Sequence, residues 1–418
     1  MRHKGESVGE AARPRTPGAP SPLLLLGPAF VAAVAYVDPG NVATNVTSGG
    51  RYAYLLVWVV VVANVIAMLV QYLAAKVTIA TGATLAELCR TRFRRPVALG
   101  LWAQAELVAV ATDLAELIGG AVALGLLFDM PLILGGAVTG LVSWIVLALQ
   151  QRGGYQRFQA VIAGMLLVVV GGFCYSAIVS GPDLGALAAG VVPRLAGTDT
   201  LLLAVGILGA TVMPHAIYLH GALVRDRHGA ALRDPARRRS LVSATRLDIV
   251  IAMGLAGLVN LSMLVAAAAT LTPKDAESLQ GAYDGFAREL GTPLAVIFAL
   301  ALLASGFAST AVGNYAGAVI FEGFLGRRTS VMVRRGVTLV PAFAVLATGV
   351  EPGFALVLSQ VVLSFGIPFA LWPLAGFARR ADLMGELVNR RITTVAAYGA
   401  TVVITVLNLA LIALVVVG

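Results

Sequence analysis

Charge is what this sequence has least of. Asp, Glu, Lys and Arg make up 12% of its 418 residues, against 59% hydrophobic ones. Soluble domains carry roughly twice that charged share, so too little polar sequence exists to cover a water-facing domain, and the chain reads as an integral membrane protein. Cysteine is nearly missing. Cys89 and Cys174 lie far apart on the expected map, which excludes a disulfide framework and thiolate zinc spacing. Histidine occurs four times, with no HExxH pair, and no serine sits in a nucleophile elbow. An intramembrane enzyme using Asp38 and His215 as acid and base therefore has little else behind it, and the chain is read as no enzyme. A sensor lacks any soluble signalling domain to receive its message.

Apolar runs, by contrast, are plentiful. A spanning helix takes about 20 apolar residues, and eleven segments qualify, near 23–48, 53–81, 99–127, 131–150, 158–180, 199–224, 243–271, 291–324, 332–349, 353–377 and 393–417. Residues 1–21 are polar and rich in Pro and Gly, so they read as a disordered tail and not a signal peptide. The formal charge of +9 does not call for a nucleic-acid partner, because its placement has a better explanation. Basic residues collect in the tail, then in "CRTRFRRP", "QQRGGYQRF", "RDRHGAALRDPARRRS", "GRRTSVMVRRG" and "ARRADLMGELVNRR", which are every second connection. The intervening connections hold only Arg51, Arg194, Lys274 and Arg288. The positive-inside rule then puts the N-terminus in the cytoplasm and, after eleven spans, the C-terminus outside. Arg greatly outnumbers Lys, pointing to a GC-rich bacterial genome and thus to the inner membrane.

Two spans contain helix breakers at their centres. Asp38-Pro39-Gly40-Asn41 interrupts the first, and Met213-Pro214-His215 the sixth. Inside lipid, broken backbone is tolerated only where protein or a water-filled cavity surrounds it. Proline removes an amide donor, so each break frees carbonyls. Spans one and six are the corresponding first members of two five-span halves, and interrupted helices at matching places in inverted repeats mark a substrate site at the bilayer midplane. The expected architecture is all-α: a first repeat over residues 22–181, an inverted second over 199–377, and an additional helix over 393–418.

An aspartate at a helix centre costs about 2.5–3.5 kcal/mol on insertion scales, so Asp38 needs a partner or a task. The Ala35 carbonyl, the Asp38 carboxylate and the Asn41 amide oxygen are spaced three apart and share a helical face. Met213 and the Ala210 carbonyl share one in the same way at the second break. Oxygen ligands with one thioether suit Mn²⁺ or Fe²⁺, and would also take Cd²⁺, better than hard Mg²⁺ or Ca²⁺. Gln360, inside span ten, has an amide oxygen able to join a closed site. Span three carries Glu106, Asp113 and Glu116 on one face, a stripe that must hold protons part of the time and so reads as a proton route. Its counter-charges are expected from Arg334 and Arg335. His215, beside the second break, handles protons, lines the pathway or packs as a neutral ring.

With these residues in view, "GPAFVAAVAYVDPGNVATN", "TDLAE", "GATVMPHAIYLH", "NYAGAVIFEGF" and "LSQVVLSFGIPFAL" together resemble the Nramp divalent-metal transporters, specifically the bacterial proton-coupled manganese branch. The resemblance covers nearly the whole chain. It implies a LeuT-type fold, with Asp38, Asn41 and Met213 as metal ligands, the carbonyls of Ala35 and Ala210 completing the site, and Gln360 joining on closure. It also implies that Asp113 receives the co-transported proton, with Glu116, Arg334, Arg335, His215 and Glu106 forming the network leading from it. The metal is then cargo moved inward by alternating access, no cofactor is needed, and the protein works as a monomer. Two departures from the family pattern stand out: "SGFASTAVGNYAG" where many members have Gly-Gln-Ser in span eight, and Ala216 after the histidine. The rival reading on the same architecture is a sodium-coupled carrier of a small organic substrate.

Overall fold

A computed structural model describes residues 27–153, 155–232 and 234–417. The expected tail, residues 1–21, and the opening residues of the first span lie outside them. The first span folds as two short helices, α1 (Pro28–Ala35) and α2 (Pro39–Tyr52), parted by Tyr36, Val37 and Asp38. α3 (Val57–Thr81) follows a turn. Then a capping box, in which Thr84 and Glu87 satisfy each other's backbone N–H, starts α4 (Leu85–Arg92). α4 leads into the long α5 (Arg95–Phe128), which is followed by α6 (Leu132–Gly153), α7 (Tyr155–Val179) and the short α8 (Leu184–Ala189).

The sixth span repeats the interruption, as α9 (Thr198–Val212) and α10 (Pro214–Leu232) on either side of Met213. α11 (Pro235–Thr270), α12 (Leu279–Leu290), α13 (Thr292–Leu325), α14 (Val331–Ala347) and α15 (Pro352–Ala378) follow, and the turn helix α16 (Ala381–Met384) leads to α17 (Arg391–Val417). The basic stretch read as a connection before span seven is helical on both sides of Asp234. Its Ala, Arg and Leu residues favour helix, and Asp234 caps α11 by accepting the Ala236 N–H at 3.0 Å, with Pro235 in the first helical position.

Among the described residues eight helical runs are long and apolar enough to cross a bilayer, one of them, Thr198–Gly229, running through the second break. Three of the eleven expected spans fall short of that length among the described residues, each for a visible reason. The first is cut into pieces of 8 and 14 residues. In α6 the described apolar stretch is Leu132–Ile145, and α14 has 17 residues with Arg334 and Arg335 near its start.

Polarity is arranged inside out. Leu107, Leu167 and Ile178 are 61%, 69% and 76% exposed, whereas Asp38, Asn41, Asp113, Arg335 and Gln360 are buried. A bilayer accepts that outward apolar belt, and ionisable groups face the bundle interior. Within the bundle α5 packs on α13, α11 on α2, and α9 on α15. Small residues let these helices approach closely. A side chain on Gly209 would stand 1.8 Å from the Gln360 carbonyl oxygen, and one on Gly40 would stand 1.8 Å from the Gln360 amide nitrogen. These two glycines seat α15 against both broken spans.

Candidate metal centre

Both breaks follow one rule. An α-helical carbonyl accepts from the N–H four residues on, and for Ala35 that residue is Pro39, for Ala210 it is Pro214. Neither proline has an N–H to give. Asp38 then caps α2: its Oδ1 accepts the Asn41 backbone N–H and the Asn41 Nδ2, both at 2.8 Å. At the other break Met213 has φ 1° and ψ 107°, outside the helical region, and its side chain is fully buried.

One bond joins the two breaks. Asn41 Nδ2 donates to the Ala210 carbonyl at 2.8 Å, so the first and sixth spans meet where both are interrupted. Two further carbonyls freed in the first span are taken up by neighbours: Asn260 of α11 donates to the Tyr36 carbonyl at 2.9 Å and Ser305 of α13 to the Val37 carbonyl at 2.5 Å. Tyr36 also receives a hydrogen bond from Gln71 of α3.

What is left over has a chemical meaning. Asp38 Oδ2, Asn41 Oδ1 and Gln360 Oε1 are buried and without a hydrogen-bond partner, and no basic side chain pairs with Asp38 among the described residues. A buried carboxylate without counter-charge is strongly unfavourable. Three acceptor oxygens lacking donors, one of them on a carboxylate, fit a cation. No group of three or more His, Cys, Asp and Glu side chains able to hold a metal occurs among the described residues, so a centre here must draw on amide and carbonyl oxygens.

The acid stripe on α5 divides into three environments. Glu106 forms an aligned ion pair with Arg334 at 2.7–2.8 Å and accepts from Trp102 Nε1 at 3.2 Å. Asp113 Oδ1 lies 3.0 Å from an Arg335 guanidinium nitrogen, a charge contact without hydrogen-bond alignment, while Arg335 Nε donates to Ser143 at 3.0 Å. Arg335 is 0% exposed. Among the described residues Glu116 has no basic partner within ion-pair distance. It packs where a side chain on Gly313 would stand 2.6 Å from its Oε1, and its Oε2 is buried without a bond. His215 reaches the stripe from α10, its Nδ1 3.2 Å from Thr112 Oγ1, next in sequence to Asp113.

The structure thus brings Asp38, Asn41 and Ala210 into direct bonded contact and seats Gln360 against Gly40, one residue from Pro39. Ala35 and Met213 stand at the break points themselves. Glu106 and Arg334 form a pair separate from Asp113 and Arg335. Sequence reasoning missed Asn260, Ser305, Thr112 and Ser143. Their signal is a lone amide or hydroxyl in an apolar run, one too common in membrane helices to single out a site.

Comparison with known proteins agrees along the full length. The chain is 50% identical over 416 residues to the divalent metal cation transporter MntH of Mycobacterium tuberculosis, covering 99% of this chain and 97% of that one. Among solved structures it is similar to the manganese transporter of Eremococcus coleocola, with 32% identity, a TM-score of 0.83, and coverage of 93% and 86% of the two chains. The nucleobase-cation-symport-1 family transporter Mhp1 shares the fold alone, at 16% identity and a TM-score of 0.60 over 94% of this chain and 91% of that one. The Natural resistance-associated macrophage protein-like family matches residues 29–414. Broken helices joined through Asn41 and a match to that family over residues 29–414 lead to one conclusion: the chain belongs to the Nramp family, on a LeuT-type all-helical fold.

Proposed function

We propose that this protein imports divalent transition-metal ions, Mn²⁺ with Fe²⁺ and Cd²⁺ as further cargo, across a bacterial inner membrane in symport with protons. The relatives are metal cation transporters, and catalysis and a cofactor have no place in such an activity. The observation that carries the reading is the buried Asp38 carboxylate, unpaired with any base among the described residues, beside the unpartnered oxygens of Asn41 and Gln360. An organic carboxylate substrate would meet Asp38 as a like charge, so the orphan oxygens favour a cation.

In this mechanism the ion sheds most of its water and binds between the two breaks, held by Asp38, Asn41, Met213, Gln360 and the carbonyls of Ala35 and Ala210. The Met213 thioether turns preference from hard to softer dications. Protons move along α5, where Asp113 receives the proton and Glu116, Arg334, Arg335, His215 and Glu106 form its path. Support comes from the burial of Asp113 and Glu116 on one helix and from the Asp113–Arg335 contact, which holds a titratable acid against a fixed charge. Eleven crossings as two inverted five-span repeats plus one helix, with the N-terminus cytoplasmic, would let the repeats rock around the fixed site. The protein acts as a monomer.

Fluorescence-quench uptake of Mn²⁺ into liposomes tests the reading. Asp38→Ala is expected to abolish uptake, and Met213→Ala to keep Mn²⁺ uptake while losing the preference for Mn²⁺ over Ca²⁺. Wild-type uptake by Asp38→Ala overturns the site. A dependence of uptake on a sodium gradient, with none on a proton gradient, overturns the coupling.

A further inference from the structure

A second site lies away from the breaks, where the end of α3 meets the start of α11 and of α17. There a cavity of about 630 Å³ opens between the helices, a volume within the usual range for small-molecule sites. Lys76, Arg246 and Arg390 line it. Lys76 is 8% exposed, lies over the Tyr72 ring, and donates to the uncharged Asn389 Oδ1 at 2.8 Å. Arg246 and Arg390 have no acid within ion-pair distance among the described residues. The acid in the lining, Glu386, is turned to Arg239 at 2.8 Å instead. Three cations around one cavity, its lining acid already engaged by Arg239, repel each other, and an anion relieves that repulsion.

The walls identify the anion. Met68, Val250 and Ile392 also line the cavity, and Val250 and Ile392 are 49% and 77% exposed on helices whose outer faces are apolar. A cationic cavity at the end of membrane helices, with an apolar flank, matches a molecule having a phosphate head and acyl chains. Basic pockets between transmembrane helices bind anionic headgroups in this way, and guanidinium forks suit phosphate oxygens. We infer that the cavity between α3, α11 and α17 binds one anionic phospholipid, its phosphodiester held by Lys76, Arg246 and Arg390 and its chains lying along Val250 and Ile392. The inference is independent of the proposed metal transport and needs only that the cavity open at the bilayer surface.

The test is native mass spectrometry of the full-length protein after equilibration with vesicles of equal parts phosphatidylglycerol and phosphatidylcholine. The wild type is expected to retain phosphatidylglycerol in preference to phosphatidylcholine. Arg246→Gln/Arg390→Gln should weaken retention by about fivefold for each arginine, the usual contribution of one basic residue near an anionic surface. Arg246→Lys/Arg390→Lys should keep it, as should Arg327→Gln/Arg328→Gln, the same loss of charge at another connection. If the double glutamine variant fails to fold, Arg246→Gln alone carries the measurement, since that side chain is exposed. Equal retention by wild type and glutamine variants overturns the inference, as does equal retention of the two lipids. Displacement of phosphatidylglycerol by excess inorganic phosphate means that the cavity takes the free anion, and overturns the lipid assignment.

Discussion

Asn41 donates its side-chain amide to the Ala210 carbonyl at 2.8 Å, a hydrogen bond between residues 169 apart in sequence that closes one helix break onto another. The same nitrogen also serves Asp38 Oδ1, so one side chain sets the spacing of the carboxylate and the freed carbonyl. Asn41→Ala should weaken Mn²⁺ binding by about tenfold or more, ~1.4 kcal/mol, and lower thermal stability even without metal. Calorimetric titration and thermal unfolding of the purified protein check the two effects. Unchanged affinity would remove Asn41 from the ligand set.

The Asp113–Arg335 contact lies wholly inside the bundle. Breaking a buried pair from one side leaves an uncompensated charge, at about 3–5 kcal/mol. Arg335→Gln is therefore expected to be severely destabilising, and Arg335→Gln/Asp113→Asn less so than Arg335→Gln alone. A double-mutant cycle on unfolding midpoints reads the coupling. Strictly additive losses would mean that the two charges do not depend on each other.

Asn260 satisfies a freed, buried carbonyl of the broken backbone, donating to Tyr36 O at 2.9 Å. Asn260→Leu leaves that carbonyl buried and unsatisfied, which should cost about 1–3 kcal/mol. Because the loss falls on the linker between α1 and α2, amide hydrogen exchange around Tyr36 should speed up along with the fall in melting temperature. A variant as stable and as protected from exchange as wild type would show that the linker needs no such support.

Outside the spans, Glu87 of α4 pairs with Arg225 at 2.7 Å. Burial alone would raise its carboxyl, but the Thr84 N–H and the Arg225 guanidinium outweigh that and hold it below the ordinary carboxylate range. With the folded pKa depressed, the pair contributes stability above the unfolded value of about 4.3, and that stability is lost as pH falls through the folded pKa. Glu87→Gln should therefore melt below wild type at neutral pH, with the gap narrowing under about pH 4. A gap that stays constant down to acid pH would show the carboxylate charge to be immaterial.

The breaks were legible in the sequence because proline has a strictly local effect: Pro39 and Pro214 free the carbonyls four residues back whatever surrounds them. Asp38 was legible for a related reason, since a charge in an apolar run demands an account. Asn260 and Ser305 were not. Their importance depends on which carbonyl lies across from them, a fact of tertiary packing with no trace in local pattern. The helical course of the basic stretch before α11 was hidden by its charge, which marks the membrane boundary but does not end a helix. The first span is missing from the long apolar helices because hydropathy runs straight over a broken backbone.

Each interruption also turns an end of regular structure inward. α1 and α9 finish at the breaks, so the partial negative charge of two helix C-termini is directed into the interior where Asp38 lies. Such termini favour a cation by about 0.3–1 kcal/mol each, and by more where solvent is excluded. α2 and α10 begin at the same breaks and bring the opposite partial charge of helix N-termini, which at α2 Asp38 offsets by capping it. Replacing Asp38 therefore removes a full charge and uncaps a helix start at once, leaving the two N-termini uncompensated beside the two C-termini.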